Sequence, residues 1–339
     1  MRFRENVTRR DIRRPNFREV IAAALSAVAL AACGTQATGR GVKSASLVLD
    51  FTPNAIHAGI YTAIARGYDL RNHVRLDVIV PGASTDAISL LLGGRANFAI
   101  LDIHDLAIAR QEGKLLVGVM AVVEHPLAAV VAAPRIRSPR DLPGQTVGVT
   151  GDPSDLAVLR SEVAGAGGNP ARVRTVTIGY NAVADLLGGR VAAATAFWND
   201  EGLTVQQARP GFHVFRVEQY GAPPYPELVL CATQQTVNRD PALVRGVVHT
   251  LVEGYEAVLR DPRAGAAALE SQVSGLSPRL VKEQLAGELP AFRPAGGGSV
   301  GALVPSILRS WARWEVRFGI VRRLPDVGQM FTQRFLPAG

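Results

Sequence analysis

The chain has 339 residues, of which 47% are hydrophobic and 19% charged, so its composition fits a packed globular protein of one large or two medium domains. Its formal charge of +8 is concentrated at one end, because residues 1–33 hold seven arginines against three carboxylates, which accounts for +4 and leaves +4 for all other residues. No cluster of lysine and arginine with interleaved aromatic residues occurs, which excludes a nucleic-acid partner.

The first 33 residues predict an export signal. An arginine-rich segment precedes an apolar run over residues 20–32, which is too short to span a bilayer and typical of a signal sequence. The run ends in Leu30-Ala31-Ala32-Cys33, which resembles a bacterial lipobox whose cysteine becomes the lipid-modified N-terminus. Residues 34–43 would then form a short tether. Arg9-Arg10 also resembles a twin-arginine signal, so the export route stays open.

The cysteine content argues against a disulfide or a zinc motif. Cys33 belongs to the leader, and Cys231 lies in the apolar run 228–232, where a small core residue is expected. One remaining thiol cannot form an intramolecular disulfide, and no Cys/His spacing resembles a zinc site. We therefore expect no metal and no cofactor.

The chain after the leader opens with a strand, a polar loop and a helix. Residues 46–49 predict a buried strand, Thr52 and Pro53 suit a helix start, and Gly67 suits its end. The loop between strand and helix carries aromatic, amide and imidazole side chains. In open α/β sheets small ligands bind at this carboxyl edge of the strands.

Strand and helix patterns then alternate, which favours two α/β lobes with mostly parallel sheets. Further strands are predicted over residues 74–80, 96–101, 115–123, 127–132, 145–150, 173–178, 192–197, 214–217 and 228–233. The sequence LLGGR at residues 91–95 recurs at 186–190, each time between a predicted helix and a strand, which supports two similarly wound lobes. From Asp240 onward the pattern is helical. Asp-Pro or Ser-Pro pairs mark three helix starts, and a final helix is predicted over residues 300–318, whose Trp311 and Trp314 we expect to pack on a lobe.

Three motifs in this order resemble one family. Asp50-Phe51-Thr52-Pro53-Asn54 with His57, Gly59 and Tyr61 resembles the "DW-PN-xH-G-Y" signature of the ThiY-like substrate-binding lipoproteins of bacterial ABC importers. Glu124-His125-Pro126-Leu127 is similar to their "QHPL", and Trp198-Asn199-Asp200-Glu201-Gly202 to their "WN-EG". The similarity covers about residues 46–235.

The resemblance implies a two-lobed α/β fold of the type II periplasmic-binding-protein (Venus-flytrap) class with a helical C-terminal extension. Lobe I would comprise residues 44–131 and 228–339, and lobe II residues 132–227. It also implies a monomeric, non-enzymatic protein outside the cytoplasm that is held to the membrane by its lipid anchor. Such a protein binds an aminopyrimidine precursor of thiamine and delivers it to an ABC permease.

A flat heteroaromatic ligand needs stacking faces, amides for its ring nitrogens and an acceptor for an exocyclic amine. Glu201 is the first candidate for the amine, and Asp102 or Asp105 the second. The candidate ligand-binding residues are Phe51, Asn54, His57, Tyr61, Asp102, His125, Trp198, Asn199, Glu201 and Tyr225. Packing or helix capping remains an alternative role for several of them, as it does for His104 and Asp152.

The family usually has tryptophan where this chain has Phe51, which leaves the ligand's ring system open. Riboflavin, or a sulfonate or nitrate, are alternatives within the same fold, although an anion would need an arginine or free helix amides. A pyrimidine synthase on the same scaffold would need a lysine near the site or a cysteine-rich iron motif. The chain has only Lys43, Lys114 and Lys282 and no such motif. A sensor with a degenerate pocket is the last alternative.

Overall fold

Two five-stranded sheets form the framework of the computed structural model, which describes residues 41–82, 86–152, 154–294 and 297–338. The strands are β1 Lys43–Val48, β2 Val74–Ile79, β3 Phe98–Asp102, β4 Leu116–Val123, β5 Ala128–Ala132, β6 Thr146–Val149, β7 Arg174–Thr177, β8 Ala193–Phe197, β9 His213–Arg216 and β10 Leu228–Thr233. Each of the ten predicted strands overlaps one of them. The leader, with Cys33, lies outside the described residues.

The helices flank these sheets and fill the C-terminal third. They are α1 Ala58–Ala65, α2 Tyr68–Arg71, α3 Ala87–Leu92, α4 Ile103–Gln111, α5 Asp155–Gly165, α6 Ala182–Leu187, α7 Leu203–Ala208, α8 Gln234–Arg239, α9 Pro241–Arg260, α10 Pro262–Gln272, α11 Pro278–Glu288, α12 Pro305–Arg317 and α13 Val327–Met330. None of the helices in the described ranges is long and apolar enough to cross a membrane.

The two sheets are wound alike. Their strand orders are β2-β1-β3-β10-β4 and β7-β6-β8-β5-β9, with the first three strands parallel in each. The fourth strand, β10 or β5, is antiparallel to both neighbours. The LLGGR repeats close α3 and α6, where Gly94 and Gly189 have φ of 67° and 69°, a conformation that favours glycine. The repeat therefore marks equivalent positions in two similar lobes.

The chain crosses between the sheets twice, at residues 124–127 and 217–227. Glu227 connects the two crossovers, because its Oε2 accepts hydrogen bonds from the backbone amides of Leu127 and Ala128. The amide of Ala128 lies 2.9 Å away. The motif around His125 thus lies in a crossover between the two sheets, outside the strands, as the predicted strand ends imply.

Three predicted helix starts differ from the observed ones. Asn54, not Thr52, caps the first helical turn. Its side chain accepts from the amide of Ile56, and His57 Nδ1 accepts from the backbone amide of Asn54. Helix α5 begins at Asp155 rather than after Asp152, whose carboxylate bonds to Thr150 instead. Helix α12 begins at Pro305, five residues later than predicted, because proline suits the first helical position.

Helix α9 packs against α1 and the polar loop that follows β1. A Cβ atom on Gly254 would lie 2.1 Å from the carbonyl oxygen of Gly59, so the backbones of α1 and α9 are in direct contact. The hydroxyl of Tyr255 donates to the carbonyl of Ile56 at 2.9 Å. This close packing holds the loop residues in one position above the first sheet.

Candidate functional site

A cavity of about 520 Å³ lies between the two sheets, at the carboxyl ends of their parallel strands. Its walls carry ten carboxyl side chains: Asp50, Asp86, Asp102, Asp105, Glu112, Asp152, Asp155, Asp200, Glu201 and Glu227. Of the described residues that line it, Lys114 is the only lysine or arginine. The cavity therefore favours a ligand that carries positive charge or several hydrogen-bond donors.

Four of the ten candidate ligand-binding residues line this cavity: Phe51, Asn54, Asp102 and Glu201. They follow the strands β1, β3 and β8, so the strand-end rule brings them together. The other six are not among the lining residues: His57, Tyr61, His125, Trp198, Asn199 and Tyr225. Each of these six side chains contacts other parts of the protein, as described below.

His57 is fully buried and acts on the cavity through Asp50. Its Nε2 lies 2.9 Å from Asp50 Oδ1, and its Nδ1 accepts from the amide of Asn54 at 3.1 Å. These partners assign the ring proton to Nε2, which donates to the carboxylate. His57 thus orients Asp50 and Asn54, both of which line the cavity.

Trp198 packs against the crossover at residues 124–127 instead of facing the cavity. The indole Nε1 donates to the carbonyl of Pro126 at 3.0 Å, and the Arg216 guanidinium lies 3.8 Å from the ring centroid. His125 lies half-buried in the same crossover. Asn199 is buried and donates to Glu288 on α11 at 2.7 Å. In this structure the indole ring of Trp198 is therefore not among the side chains that line the cavity.

The two tyrosines predicted at the site are core residues. Tyr61 lies in α1 and is 6% exposed, among the apolar residues under the first sheet. Tyr225 is fully buried, with its ring 4.9 Å from His104 and 5.8 Å from Trp314. Burial of the large ring outweighs placement at the cleft for both.

The aromatic ring that meets Phe51 across the cavity is Tyr180, which the sequence analysis did not single out. Their centroids are 5.0 Å apart in an edge-to-face arrangement with 71° between the planes. Tyr180 follows β7 and is 48% exposed. Its position three residues after a parallel strand was the signal that could have revealed it.

A second group of polar residues holds the wall formed by the second sheet. Asp155 Oδ2 accepts from the amide and hydroxyl of Thr150, at 2.6 and 2.8 Å, and from Thr195 Oγ1 at 3.0 Å. Glu201 Oε2 accepts from the amide of Phe197 at 3.1 Å. Each carboxylate is therefore held by the strand end behind it, while both line the cavity.

Asp200 connects the two sides of the cavity. Its two oxygens accept from Asn54 Nδ2 at 3.0 Å and from Gln284 Nε2 at 2.8 Å. Asn54 follows β1 of the first sheet and Asp200 follows β8 of the second. The structure thus shows the two sheets bridged by the loop after β1 and the motif of residues 198–202.

A family model described as NMT1/THI5 like matches residues 54–265, which is more than half of the chain. The chain belongs to the NMT1/THI5-like family. The match begins within the loop after β1, at residue 54, and covers both crossovers and the second sheet. The predicted family relationship is thereby confirmed.

Two curated proteins are similar to this NMT1/THI5-like chain. The formylaminopyrimidine-binding protein of Halalkalibacterium halodurans is 29% identical over 249 residues, which cover 72% of this chain and 76% of that protein. The putative thiamine biosynthesis protein of Haemophilus influenzae is 28% identical over 195 residues, which cover 57% of this chain and 62% of that protein.

Solved structures show the same fold at low sequence identity. The alkanesulfonate-binding protein SsuA from Xanthomonas axonopodis pv. citri, bound to MOPS, superposes with a TM-score of 0.68 at 17% identity and covers 86% of this chain and 99% of its own. The periplasmic nitrate-binding protein NrtA from Synechocystis PCC 6803 gives 0.66 at 11% identity and covers 87% of each chain. The predicted two-lobed periplasmic-binding-protein fold is confirmed.

Burial raises the proton affinity of several carboxyl groups in the cavity of this family member. Burial, with smaller contributions from the charges of Asp200 and Asp155, raises the pKa of Glu201 to about 7. Burial also raises the pKa values of Asp155 and Asp152, against the hydrogen bonds from Thr150 that lower them. A cationic ligand would favour the ionised forms of these groups, so its binding is coupled to proton release.

Replacing Phe51 with alanine is expected to weaken ligand binding by about tenfold, because the ring supplies both apolar contact area and the edge-to-face contact with Tyr180. Isothermal titration calorimetry with a formylaminopyrimidine, the compound for which the Halalkalibacterium halodurans relative is named, measures the effect. Phe318→Ala is the matched control, since Phe318 is also half-buried but lies beside Trp314, outside the set of lining residues. Phe51→Trp should retain or raise affinity, and equal affinities for Phe51→Ala and wild type would remove Phe51 from the site.

Proposed function

We propose that this protein is the solute-binding component of an ABC importer and that it binds an amino-substituted pyrimidine, a formylaminopyrimidine-type precursor of thiamine. The observation that carries the proposal is a cavity in which aromatic side chains from both lobes, Phe51 and Tyr180, lie among ten carboxyl groups. Flat rings contact aromatic faces, and carboxylates accept hydrogen bonds from exocyclic amines and protonated ring nitrogens. The similarity to a formylaminopyrimidine-binding protein supports the same ligand class.

The electrostatics of the cavity disfavour the anionic alternatives. A sulfonate or nitrate would be placed among Asp50, Asp155, Glu201 and seven further carboxyl groups with Lys114 as the opposing charge. Like charges in a partly desolvated site cost binding free energy. Riboflavin is disfavoured less strongly, because its heteroaromatic ring system carries no charge.

The proposal includes the cellular setting. Residues 1–33 would direct export, Cys33 would carry the lipid anchor, and the chain would act as a monomer on the outer side of the membrane. Lobe I, residues 44–131 and 228–339, and lobe II, residues 132–227, would close on the ligand about the crossovers at residues 124–127 and 217–227. The closed form would then dock on the permease. The protein itself would catalyse no reaction.

A calorimetric panel tests the ligand class. We expect formylaminopyrimidine and the corresponding aminopyrimidine to bind with one site per chain, riboflavin and thiamine to bind more weakly, and taurine and nitrate not to bind. Binding of taurine or nitrate without binding of any heteroaromatic compound would overturn the proposal. Labelled glycerolipid incorporation into wild type and into Cys33→Ala tests the anchor, and equal incorporation would exclude Cys33 as its site.

Replacing Glu201 with glutamine is expected to weaken aminopyrimidine binding by about 10- to 150-fold, since a charge-assisted hydrogen bond contributes about 1.5–3 kcal/mol. The change preserves the shape of the side chain and the acceptor for the Phe197 amide. Glu218→Gln is the control, because Glu218 is exposed in the second crossover and does not line the cavity. Calorimetry at pH 8, where Glu201 is mainly ionised, checks the prediction; an unchanged affinity would exclude the Glu201 contact.

A further inference from the structure

Beneath the cavity floor lies a group of buried polar atoms without hydrogen-bond partners. Within the described part of the chain, they include His104 Nε2, Glu227 Oε1, Glu315 Oε2 and the hydroxyl of Tyr225. His104 is 1% exposed, while Glu227, Glu315 and Tyr225 are fully buried. Buried polar groups in folded proteins nearly always have a protein, water or ion partner, so four such atoms together call for an explanation.

Two side chains of this group, His104 and Glu227, converge on one point together with Asp102. Asp102, His104 and Glu227 each offer one ligand atom, and these atoms lie within 4.8 Å of one another. His104 Nε2 lies 3.9 Å from Glu227 Oε1, and all three residues line the cavity. Two atoms at 3.9 Å are too far apart for a hydrogen bond, but both can reach a metal ion between them at about 2.0–2.2 Å.

The fold holds these residues rigidly. Asp102 ends β3 and caps α4 by accepting from the amide of His104 at 2.7 Å. Glu227 precedes β10, which is paired with β3 so that Leu228 lies opposite Asp102. Glu227 uses its other oxygen, Oε2, to bind the amides of Leu127 and Ala128. Its Oε1 therefore remains directed at His104.

Glu315 sets the orientation of the imidazole. Its carboxylate contacts His104 Nδ1, and the indole Nε1 of Trp311 lies 3.3 Å from the same nitrogen. A proton on Nδ1 bonds to Glu315 and leaves the lone pair of Nε2 facing Asp102 and Glu227. A histidine whose second nitrogen donates to a carboxylate is the usual arrangement of a metal-ligating histidine.

We propose that Asp102, His104 and Glu227 bind one divalent transition-metal ion, of which Zn²⁺ is the representative, at the floor of the cavity. One imidazole nitrogen and two carboxylate oxygens form a three-residue ligand set, and the fourth position would face the cavity. From the sequence no metal was expected, since no Cys/His spacing resembles a zinc site. Glu227 is 123 residues from His104, so no local motif connects them. The proposal does not rest on the identity of the organic ligand.

Titration of the full chain with Zn²⁺ alone, after treatment with a chelator, tests the site. We expect one ion per chain, with affinity reduced at least about tenfold in Asp102→Asn and in Glu227→Gln. Asparagine caps helices as well as aspartate does, so Asp102→Asn should fold normally. Asp86→Asn is the matched control, since Asp86 also lines the cavity and caps a helix, α3, but lies outside the cluster. The Zn²⁺ affinity of Asp86→Asn should equal that of wild type.

Two results would overturn the proposal. One is that the wild-type chain does not bind Zn²⁺. The other is that wild type, Asp102→Asn and Glu227→Gln bind with equal affinity, which would place any bound ion elsewhere. The visible absorption of Co²⁺ bound in place of Zn²⁺ gives an independent measurement: it should appear with wild type and Asp86→Asn and be lost in Asp102→Asn.

Discussion

Replacing Asp200 with alanine is expected to weaken formylaminopyrimidine binding by about 30- to 100-fold, or about 2–3 kcal/mol. The carboxylate accepts from Asn54 on one lobe and from Gln284 on α11, and both donors lose their acceptor in the variant. Burial raises the pKa of Asp200, while the bonds from Asn54 and Gln284 oppose this rise. The interaction is thus a partly desolvated contact across the cavity.

The effect follows from the lobe closure proposed above. A ligand between two lobes makes all its contacts only in the closed form, so its apparent affinity falls in proportion to the fraction of closed protein. Truncation of Asp200 leaves the amide of Asn54 without its acceptor when the lobes are closed. The open form, in which water can reach that amide, then gains population.

Calorimetry on Asp200→Ala checks this expectation, with Asp77→Ala as the control, because Asp77 is exposed on β2 and does not line the cavity. Asp77→Ala should bind as wild type does. A double-mutant cycle with Gln284→Ala should be non-additive, since both changes remove the same bond. Affinity within twofold of wild type for a folded Asp200→Ala would show that the bridge does not contribute to closure.

Raising the pH from 5 to 9 is expected to lower the free energy of unfolding of the ligand-free protein by roughly 8 kcal/mol, because two buried carboxyl groups have raised pKa values and each pKa unit between the folded and unfolded states corresponds to about 1.4 kcal/mol. Glu124 and Glu288 are 3% and 1% exposed. Burial raises the pKa of Glu124 to about 9 and that of Glu288 to about 8.

The sign follows from the number of protons bound by each state. The folded protein keeps these carboxyl groups protonated up to about pH 8–9, whereas the unfolded chain releases the protons near pH 4.5. Between these limits the folded state binds more protons, so stability is full below about pH 4.5 and is lost as the pH rises through the folded-state pKa values. Chemical denaturation at several pH values measures the slope.

Glu124→Gln should remove part of this dependence and stabilise the protein at pH 8 by about 2 kcal/mol. Glutamine keeps an oxygen that can accept from the amide of Gly301, which Glu124 Oε1 now does at 2.9 Å. Glu256→Gln on the exposed side of α9 is the control and should leave the slope unchanged. If the stability of Glu124→Gln depends on pH as that of wild type does, Glu124 is not a source of the pH dependence.

Much of the fold could be predicted from local patterns. Strand and helix positions followed from apolar runs, glycines and Asp-Pro or Ser-Pro pairs, because capping and burial act on neighbouring residues. Asp240, Asp261 and Ser277 cap α9, α10 and α11 as predicted, each accepting from an amide in the first turn. The LLGGR repeat indicated two similar lobes because each copy ends a helix at a glycine with positive φ.

The site could be predicted only in part. Residues at strand ends reach one cavity whatever their exact loop conformation, which is why Phe51, Asp102 and Glu201 all line it. Within the motif of residues 198–202, however, the chain forms a π-helical turn. This turn directs Glu201 into the cavity and Trp198 towards Pro126 in the first crossover. The sequence of the motif does not show which side chain faces which way.

The sequence by itself determined the class of fold, its two similar lobes and the strand ends at which a ligand can bind, because these depend on interactions between nearby residues. The tertiary structure alone decided which side chains share the cavity. Tyr180 meets Phe51, and Glu227 meets His104, through the pairing of strands and lobes that are far apart in the chain. Such neighbours are set by the register of β3 with β10 and by the packing of one lobe on the other, which no local pattern encodes.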